Sequence, residues 1–479
     1  MPPAVDTPAV RPRVVEPSGL ATALGVLKQR FGERLQTGEA LRRQHANTLT
    51  WIENQPPDAV LFVETAGEVS EIVSVAAAHR VPLIPFGAGT SLEGHVNAPA
   101  GGISIDFSRM NRLLRVNERD LDCVVEPGIS RAELNQQLRD TGLFFPVDPG
   151  AETATLGGMA STRASGTNAV RYGTMRENVL NVTAVMADGK IVRTARRARK
   201  SAAGYDLTRL LVGAEGTLGI ITELTVRLYG VPEVILAAVC RFGSIEGACN
   251  TVIQAIQLGG FGLARVELID EMQIRAINVH SKLSLAEAPT LFLEFHGSKA
   301  SAEDGIAQFK ALAESEGALD YQWASAEEDR RRLWKARHEA YFSVKTTWPG
   351  KDVLATDVCV PISRLADCVL ETQADIAACG LIAPIAGHAG DGNFHCSVVL
   401  DAADKAERAK VEGFLKRLSQ RALDMDGTCT GEHGVGQGKM AYMEAEHGAG
   451  VDIMRQIKQT LDPLGIFNPG KIVATSALE

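Results

Sequence analysis

Four side chains suited to metal ligation or proton transfer stand in two glycine-rich runs. His388 and His395 lie in Gly387-His-Ala-Gly-Asp-Gly-Asn-Phe-His395, and Glu432 and His433 in Cys429-Thr-Gly-Glu-His-Gly-Val-Gly-Gln-Gly438. An apolar core gains little from such residues in such loops, so the clustering points to chemistry. His388 and His395 are an odd number of residues apart, which on a straight strand sends them to opposite faces. Gly390, Gly392 and Asn393 argue against a helix. Asp391-Gly392 is a two-residue hairpin signal between apolar runs, Leu381 to Ala386 and Phe394 to Leu400. Folding there pairs Gly390 with Asn393, Ala389 with Phe394 and His388 with His395. Directly opposed residues have Cβ atoms about 5 Å apart, so the two imidazoles can share one ion. Glu432 adds an anionic oxygen, and the resulting His-His-Glu set leaves coordination positions open, as a catalytic site requires. Zinc and manganese suit these ligands, and iron or cobalt also fit. The competing reading makes all four polar turn residues, with His433 a satisfied loop histidine. Lone histidines such as His45, His79 and His280 take that blander reading.

At 479 residues and 45% hydrophobic content, the chain can bury large cores in two to four folding units. A net charge of −9 argues against a nucleic-acid partner. Only Arg193 to Lys200 and Arg330 to Arg332 stand out as basic runs, and the first reads as a solvated loop. Eight cysteines without Cys-x-x-Cys spacing indicate neither a structural zinc site nor a disulfide framework, which fits a reducing compartment. Cys396 and Cys429 lie near the proposed ligands but read as packing residues. No apolar run reaches 18 residues and no secretory signal is evident. A cytoplasmic protein is the first expectation, peripheral to the inner membrane if bacterial. The arginines and few acids before Glu16 leave a mitochondrial address open.

The elements that must position these residues begin with Val81 to Pro85, read as a strand, followed by the small-residue loop Phe86-Gly-Ala-Gly-Thr-Ser91. Such a loop lets backbone N–H groups approach an anion. A Rossmann reading fails, because the third glycine is missing and Pro99, Gly101 and Gly102 cannot open a helix. Gly465 to Lys471 has phosphate-loop spacing, but Ile472 stands where Ser or Thr is required. A second small-residue stretch runs from Asp148-Pro-Gly150 through Gly157-Gly158 to Gly166. A third, Gly213 to Gly219, follows a helix-like Asp206 to Val212 and precedes a strand Ile220 to Leu228. Spacing alone leaves two readings: tight turns of a β-rich domain, or the wall of a groove for an extended phosphate-bearing cofactor. Pro232 closes this half, and amphipathic helices follow at Ser244 to Leu258 and Ala302 to Glu316.

Phe86 to Ser91, Asp148-Pro-Gly150, Gly157-Gly158, Val212-Gly-Ala-Glu-Gly-Thr-Leu-Gly219 and Asn468-Pro-Gly-Lys471 resemble the FAD-binding signatures of the vanillyl-alcohol-oxidase flavoprotein superfamily. Gly387 to His395 and Thr430 to Gly436 resemble the metal-site motifs of its D-2-hydroxy-acid dehydrogenase branch. Asp357-Val-Cys-Val-Pro361 most resembles the cytochrome-type D-lactate dehydrogenases within it. The resemblance covers roughly residues 50 to 475. It implies an α+β fold: a two-subdomain FAD-binding domain over 1–232, an α+β substrate or cap domain with an antiparallel sheet over 233–435, and a segment 436–479 returning to the flavin. It assigns to FAD Pro85, Gly87, Ala88, Gly89, Thr90, Ser91, Asp148, Pro149, Gly150, Thr155, Gly157, Gly158, Ser161, Gly166, Glu215, Gly216, Gly219, Ile220, Ile221 and Asn468. Some relatives attach FAD through a histidine near the position of Thr90, so non-covalent FAD is expected here; His95 lies further on.

The implied reaction is oxidation of a small D-2-hydroxy acid, with D-lactate to pyruvate as the first choice. The flavin serves as electron sink and a divalent ion on His388, His395 and Glu432 binds the substrate oxygens. His433 is then the general base, and Arg337 matches the family's carboxylate-binding arginine. Related 2-hydroxyglutarate enzymes carry a lysine where this chain has Ala355, so a monocarboxylate is expected unless Lys345 or Lys351 compensates. Glycolate or D-2-hydroxyglutarate oxidation is the alternative within the family. Cytochrome c, a quinone and an electron-transfer flavoprotein are all open as acceptors, and a homodimer is open as the assembly. Two rivals come from other classes: a flavin-free metal hydrolase, for which the glycine loops have no purpose, and a non-catalytic flavin-binding subunit, which need not keep the charged cluster.

Overall fold

The computed structural model describes residues 16–46, 51–324 and 327–474. The stretch before residue 16, where a targeting address was considered, lies outside them. Four strands, β1 (Leu35–Gln36), β2 (Ala59–Phe62), β3 (Leu83–Phe86) and β4 (Ile103–Asp106), form a small mixed sheet in the order β1-β2-β4-β3. β2 and β3 both run parallel to β4, and all four residues of β4, polar Ser104 and Asp106 included, are buried, as a strand between two parallel neighbours is. Pro85 is tolerated because β3 is at the sheet edge. That strand is Leu83–Phe86 rather than 81–85, since Val81 N–H still bonds back to Ala76 of the preceding helix.

A five-stranded antiparallel sheet follows, built from β5 (Leu113–Asn117), β6 (Asp122–Val125), β8 (Val179–Val185), β9 (Ile191–Arg193) and β10 (Ile220–Arg227), in the order β5-β6-β10-β8-β9. A short ribbon of β7 (Leu143–Phe144) and β11 (Tyr229–Gly230) lies beside it. The expected helix near Asp206 is one turn, Leu207–Leu211, capped by the Asp206 side chain.

The rest of the chain, apart from its last helices, builds one large antiparallel sheet. Its strands are β12 (Val234–Phe242), β13 (Leu263–Ile269), β14 (Thr290–Gly297), β15 (Ala318–Ala324), β16 (Asp352–Ala355), β17 (Val358–Cys359), β18 (Ile385–His388) and β19 (Asn393–Leu400). The order is β15-β12-β14-β13-β18-β19-β16, with β17 also on β19. Helices Ile245–Gln257, Lys299–Ser315, Leu365–Cys379 and Lys405–Asp424 cover one face and bury the largest core cluster. The first two match the periodicity, with starts set by Ser244 and Ser298, whose side chains cap them. Residues 466–468 then return to the first sheet: Phe467 bridges to Leu83 of β3, and Asn468 N–H donates to the Leu83 carbonyl.

Candidate active site and flavin pocket

The hairpin that carries the two histidines differs from the expected one. β18 and β19 pair His388 with Asn393 and Ala386 with His395, so the loop is Ala389 to Gly392, four residues rather than two. Gly392 takes φ +76°, and a Cβ there would sit 2.0 Å from the Val360 carbonyl oxygen. The slip is by two residues, which preserves the face. His388 and His395 therefore meet diagonally, ring centroids 5.4 Å apart and nearly perpendicular.

Glu432 completes the triangle. Its Oε1 lies 3.4 Å from His388 Nε2 and 3.2 Å from His395 Nε2, and one ligand atom from each of the three falls within 4.8 Å of the others. The Glu432 Oε2 is buried without a hydrogen-bond partner, an orphan that fits a cation-binding role. A second grouping, Asp357, His395 and His433, is as close. Asp357, however, is already committed. Its Oδ2 accepts from the backbone N–H groups of Glu432 and His433 and from the Thr430 hydroxyl, and its Oδ1 accepts from Asn393 Nδ2. Asp357 thus orders the 430–433 loop and leaves His388, His395 and Glu432 as the better ligand set.

Behind the ligands is Glu267 of β13, a residue the sequence reading overlooked. Its only signal was a carboxylate in the strand Leu263–Ile269, whose other residues except Arg265 are apolar. It is 0% exposed; Oε1 accepts from His388 Nδ1 at 2.7 Å, and Oε2 accepts a short bond from Arg337 Nη2. Burial alone would raise the Glu267 carboxyl, but Arg337 and His388 outweigh it and hold it below the ordinary range. Burial likewise opposes the charged form of His388, yet Glu267 and Glu432 raise it well above an ordinary histidine. Glu432 is held well below the carboxylate range against its burial, His388 being the strongest of its partners.

His433 stacks on His395, centroids 5.3 Å apart and planes 8° from parallel, with Nδ1 3.5 Å from Glu93 Oε1. Burial lowers its pKa, but Asp357 and Glu93 more than reverse that. Arg337, on the helix Glu327–His338, is buried beside Glu267, with Nε unpartnered.

A cavity of about 1210 Å³, including its open mouth, runs from the first glycine loop to Glu432 and His433. Sixteen of the twenty residues assigned to the cofactor line it: Pro85, Gly87, Ala88, Gly89, Thr90, Ser91, Pro149, Thr155, Gly157, Gly158, Ser161, Glu215, Gly216, Gly219, Ile221 and Asn468. Asp148, Gly150, Gly166 and Ile220 do not. Asp148 is buried behind the wall, bonded to Thr167, Asn168 and Arg265, and a Cβ on Gly166 would sit 2.1 Å from the Asp148 carbonyl oxygen. Ile220 sits in the apolar core with 0% exposure. Glu215 touches the cavity, but its carboxylate is occupied by the N–H groups of Val435 and Gly436. His95 also lines the cavity, as do Phe86, Leu92, Val96, Phe107 and Pro127, none of which the sequence reading assigned. A small-residue wall with an orphaned Asn468 Oδ1 and a buried His95 Nδ1 without a partner, its Nε2 facing Glu215 Oε1 at 3.2 Å, fits a large cofactor rich in polar edges.

Comparison with known proteins agrees. Residues 57–195 match the family model described as FAD binding domain, and residues 231–472 that described as FAD linked oxidases, C-terminal domain. The chain is 50% identical over 445 residues to the probable mitochondrial D-lactate dehydrogenase of Danio rerio, covering 92% of this chain and 89% of that one. It is 46% identical to the mitochondrial cytochrome D-lactate dehydrogenase of Arabidopsis thaliana, covering 87% and 73%. It is 34% identical to a glycolate oxidase subunit of Bacillus subtilis, covering 88% and 90%. Solved structures of 4-ethylphenol oxidase from Gulosibacter chungangensis (TM-score 0.79, 18% identity, 96% and 98% covered) and p-cresol methylhydroxylase (0.78, 14%, 96% and 97%) share the fold. The glycine-walled cavity, the paired-histidine hairpin at its end and these likenesses agree: the chain belongs to the FAD-linked oxidase family, in its D-2-hydroxy-acid dehydrogenase branch.

Proposed function

We propose that this enzyme oxidises a small D-2-hydroxy monocarboxylate, D-lactate being the first choice, with a divalent ion, zinc or manganese, on His388, His395 and Glu432. The observation that carries the reading is the meeting of that triad with the cofactor cavity at Glu432 and His433. Arg337 binds the substrate carboxylate through the donors that Glu267 leaves free. His433, its Nδ1 facing Glu93, receives the substrate hydroxyl proton at Nε2. The 430–433 loop, tied to Asp357, holds that imidazole against His395. When bound, the ion supplies Lewis acidity toward the hydroxyl oxygen and offsets the carboxylates that raise His433. Bound FAD, non-covalent because Thr90 offers no histidyl link, supplies the electron sink for the α-hydrogen and its electron pair. Cytochrome c, a quinone or an electron-transfer flavoprotein then takes the electrons. Mitochondrial residence is favoured by the names of the Danio and Arabidopsis relatives. No helix among the described residues is long and apolar enough to cross a membrane.

The monocarboxylate preference has its own support. Lys351 is spent on Asp401 and Glu407 at the surface, and Lys345 is exposed on a helix flank. Neither offsets the absent cation at Ala355, and a buried unpaired distal carboxylate costs several kcal/mol. The kcat/KM for D-lactate should therefore exceed that for D-2-hydroxyglutarate by about 100-fold or more, taking 1.36 kcal/mol per factor of ten. A preference for the dicarboxylate overturns the substrate assignment. The test of the whole reading is optical. The purified protein should carry a flavin spectrum that bleaches on D-lactate and is released by denaturation, with about one metal ion per chain by elemental analysis. A protein that cannot be loaded with flavin, or an active protein free of metal, refutes it.

A further inference from the structure

We infer that Glu267 is a positioning residue that sets the spacing between the two ends of the substrate, a role that rests on His388 as ligand and Arg337 as carboxylate binder. β13 pairs with β18 so that Glu267 and His388 are direct cross-strand partners, and sheet register fixes their contact. Glu267 Oε1 accepts the His388 Nδ1–H at 2.7 Å, which leaves the Nε2 lone pair aimed at the space beside Glu432 Oε1, 3.4 Å away. The other oxygen, Oε2, takes Arg337 Nη2. Arg337 arrives on a separate helix, and its Nε is buried and unpartnered. One rigid carboxylate, with no exposure of its own, thus touches both the group that grips the substrate carboxylate and a ligand of the ion that grips the hydroxyl.

A 2-hydroxy acid carries those two functions on adjacent carbons, so their binders must keep a fixed separation. Two flexible side chains on different elements cannot hold it unaided, whereas a shared planar carboxylate between them can. Both carboxylate oxygens are taken, one by His388 and one by Arg337, so the residue acts through its two partners. A buried carboxylate with two donors is also hard to replace, because removing it strands a guanidinium and an imidazole away from water.

The experiment compares Glu267→Gln and Glu267→Asp in the FAD-loaded enzyme. It reads the Mn2+ dissociation constant without substrate, KM and kcat for D-lactate, and flavin content as the check on folding. Loss of an outer carboxylate typically weakens metal binding about 10–100-fold. Glu267→Gln should show that loss together with a KM raised about tenfold, with kcat at saturating metal less affected. Glu267→Asp keeps the charge but leaves a larger void, so a positioning role ranks Asp above Gln in both readouts, and a packing role ranks Gln above Asp. If Gln fails to retain flavin, the Asp variant alone decides, and metal affinity and KM within twofold of wild type overturn the inference. So does Gln outranking Asp. A wild-type enzyme that binds no Mn2+ or Zn2+ overturns the parent reading and this one with it. Tight binding in wild type with unchanged variants sinks only this one.

Discussion

The cofactor cavity and the metal triad meet at Glu432 and His433, yet they are built on opposite principles. The cavity is walled by backbone and small side chains from three loops, and its charged lining residues are few. The triad and its support, His388, His395, Glu432, Glu267, Arg337 and Asp357, are ionisable side chains in mutual contact and largely out of solvent, with His388 held charged and Glu432, Glu267 and Asp357 held ionised by their neighbours. Two lessons follow. A large cofactor is accommodated by what the sequence leaves out, so glycines mark its place. A small anionic substrate is held by opposed charges that tolerate no missing member.

The largest effect should come from breaking the charged half. His388→Ala or His395→Ala should abolish metal uptake and lower kcat/KM by about 1000-fold, the equivalent of several kcal/mol of Lewis-acid stabilisation. His433→Ala should lower kcat by about 100-fold or more while metal content stays at wild-type level. Elemental analysis separates the two, and metal loss in His433→Ala would move His433 into the ligand set with Asp357.

In the backbone half the expected effect is smaller. A Cβ on Gly157 would lie 2.5 Å from Pro127 Cβ and 2.9 Å from its carbonyl oxygen, so the wall must shift. Overpacking of this kind costs about 1–3 kcal/mol. Gly157→Ala should weaken FAD binding about tenfold, measured by flavin titration of the apoprotein, with metal affinity unchanged. Equal damage to both would mean that the two halves are less separable than drawn.

The smallest effect concerns Asp270, which caps the helix Glu271–Ser281 from the end of β13. Burial pushes its carboxyl up to about 7, only partly opposed by the N–H groups of Gln273 and Ile385. The folded state therefore binds the proton more tightly than the unfolded chain, whose value is near 3.8. Its stabilising contribution is full below pH 3.8 and is lost as pH rises through 7. Asp270→Asn removes that dependence, so its Tm relative to wild type should improve between pH 5 and pH 8. A constant difference across that range would show that the group stays ionised when folded.

Much of this was legible in sequence because it is local. Glycine loops, the helical segments that begin at Ser244 and Asp206 and the two histidine runs are all decided by neighbours in the chain. The hairpin register was misread because Asp391-Gly392 resembles a two-residue turn, whereas the contact of Gly392 with Val360 sets a wider loop. Glu267 was missed, and Asp357 was seen only as part of a motif, because their roles depend on partners up to 121 residues away. Glu215 was assigned to the cofactor on motif alone. Nothing near it in sequence announces the Val435 and Gly436 amides, 220 and 221 residues on, that occupy its carboxylate.

The return of residues 466–468 to β3 carries a consequence for biosynthesis. Asn468 bonds to the His95 carbonyl across 373 residues and to the Glu215 carbonyl across 253, and it lines the cofactor cavity. While the polypeptide is still emerging from the ribosome, the first glycine loop waits without one wall. FAD capture must then follow translation of Asn468 rather than accompany folding of the first two sheets, so nascent chains stalled before that point should emerge colourless however much flavin surrounds them.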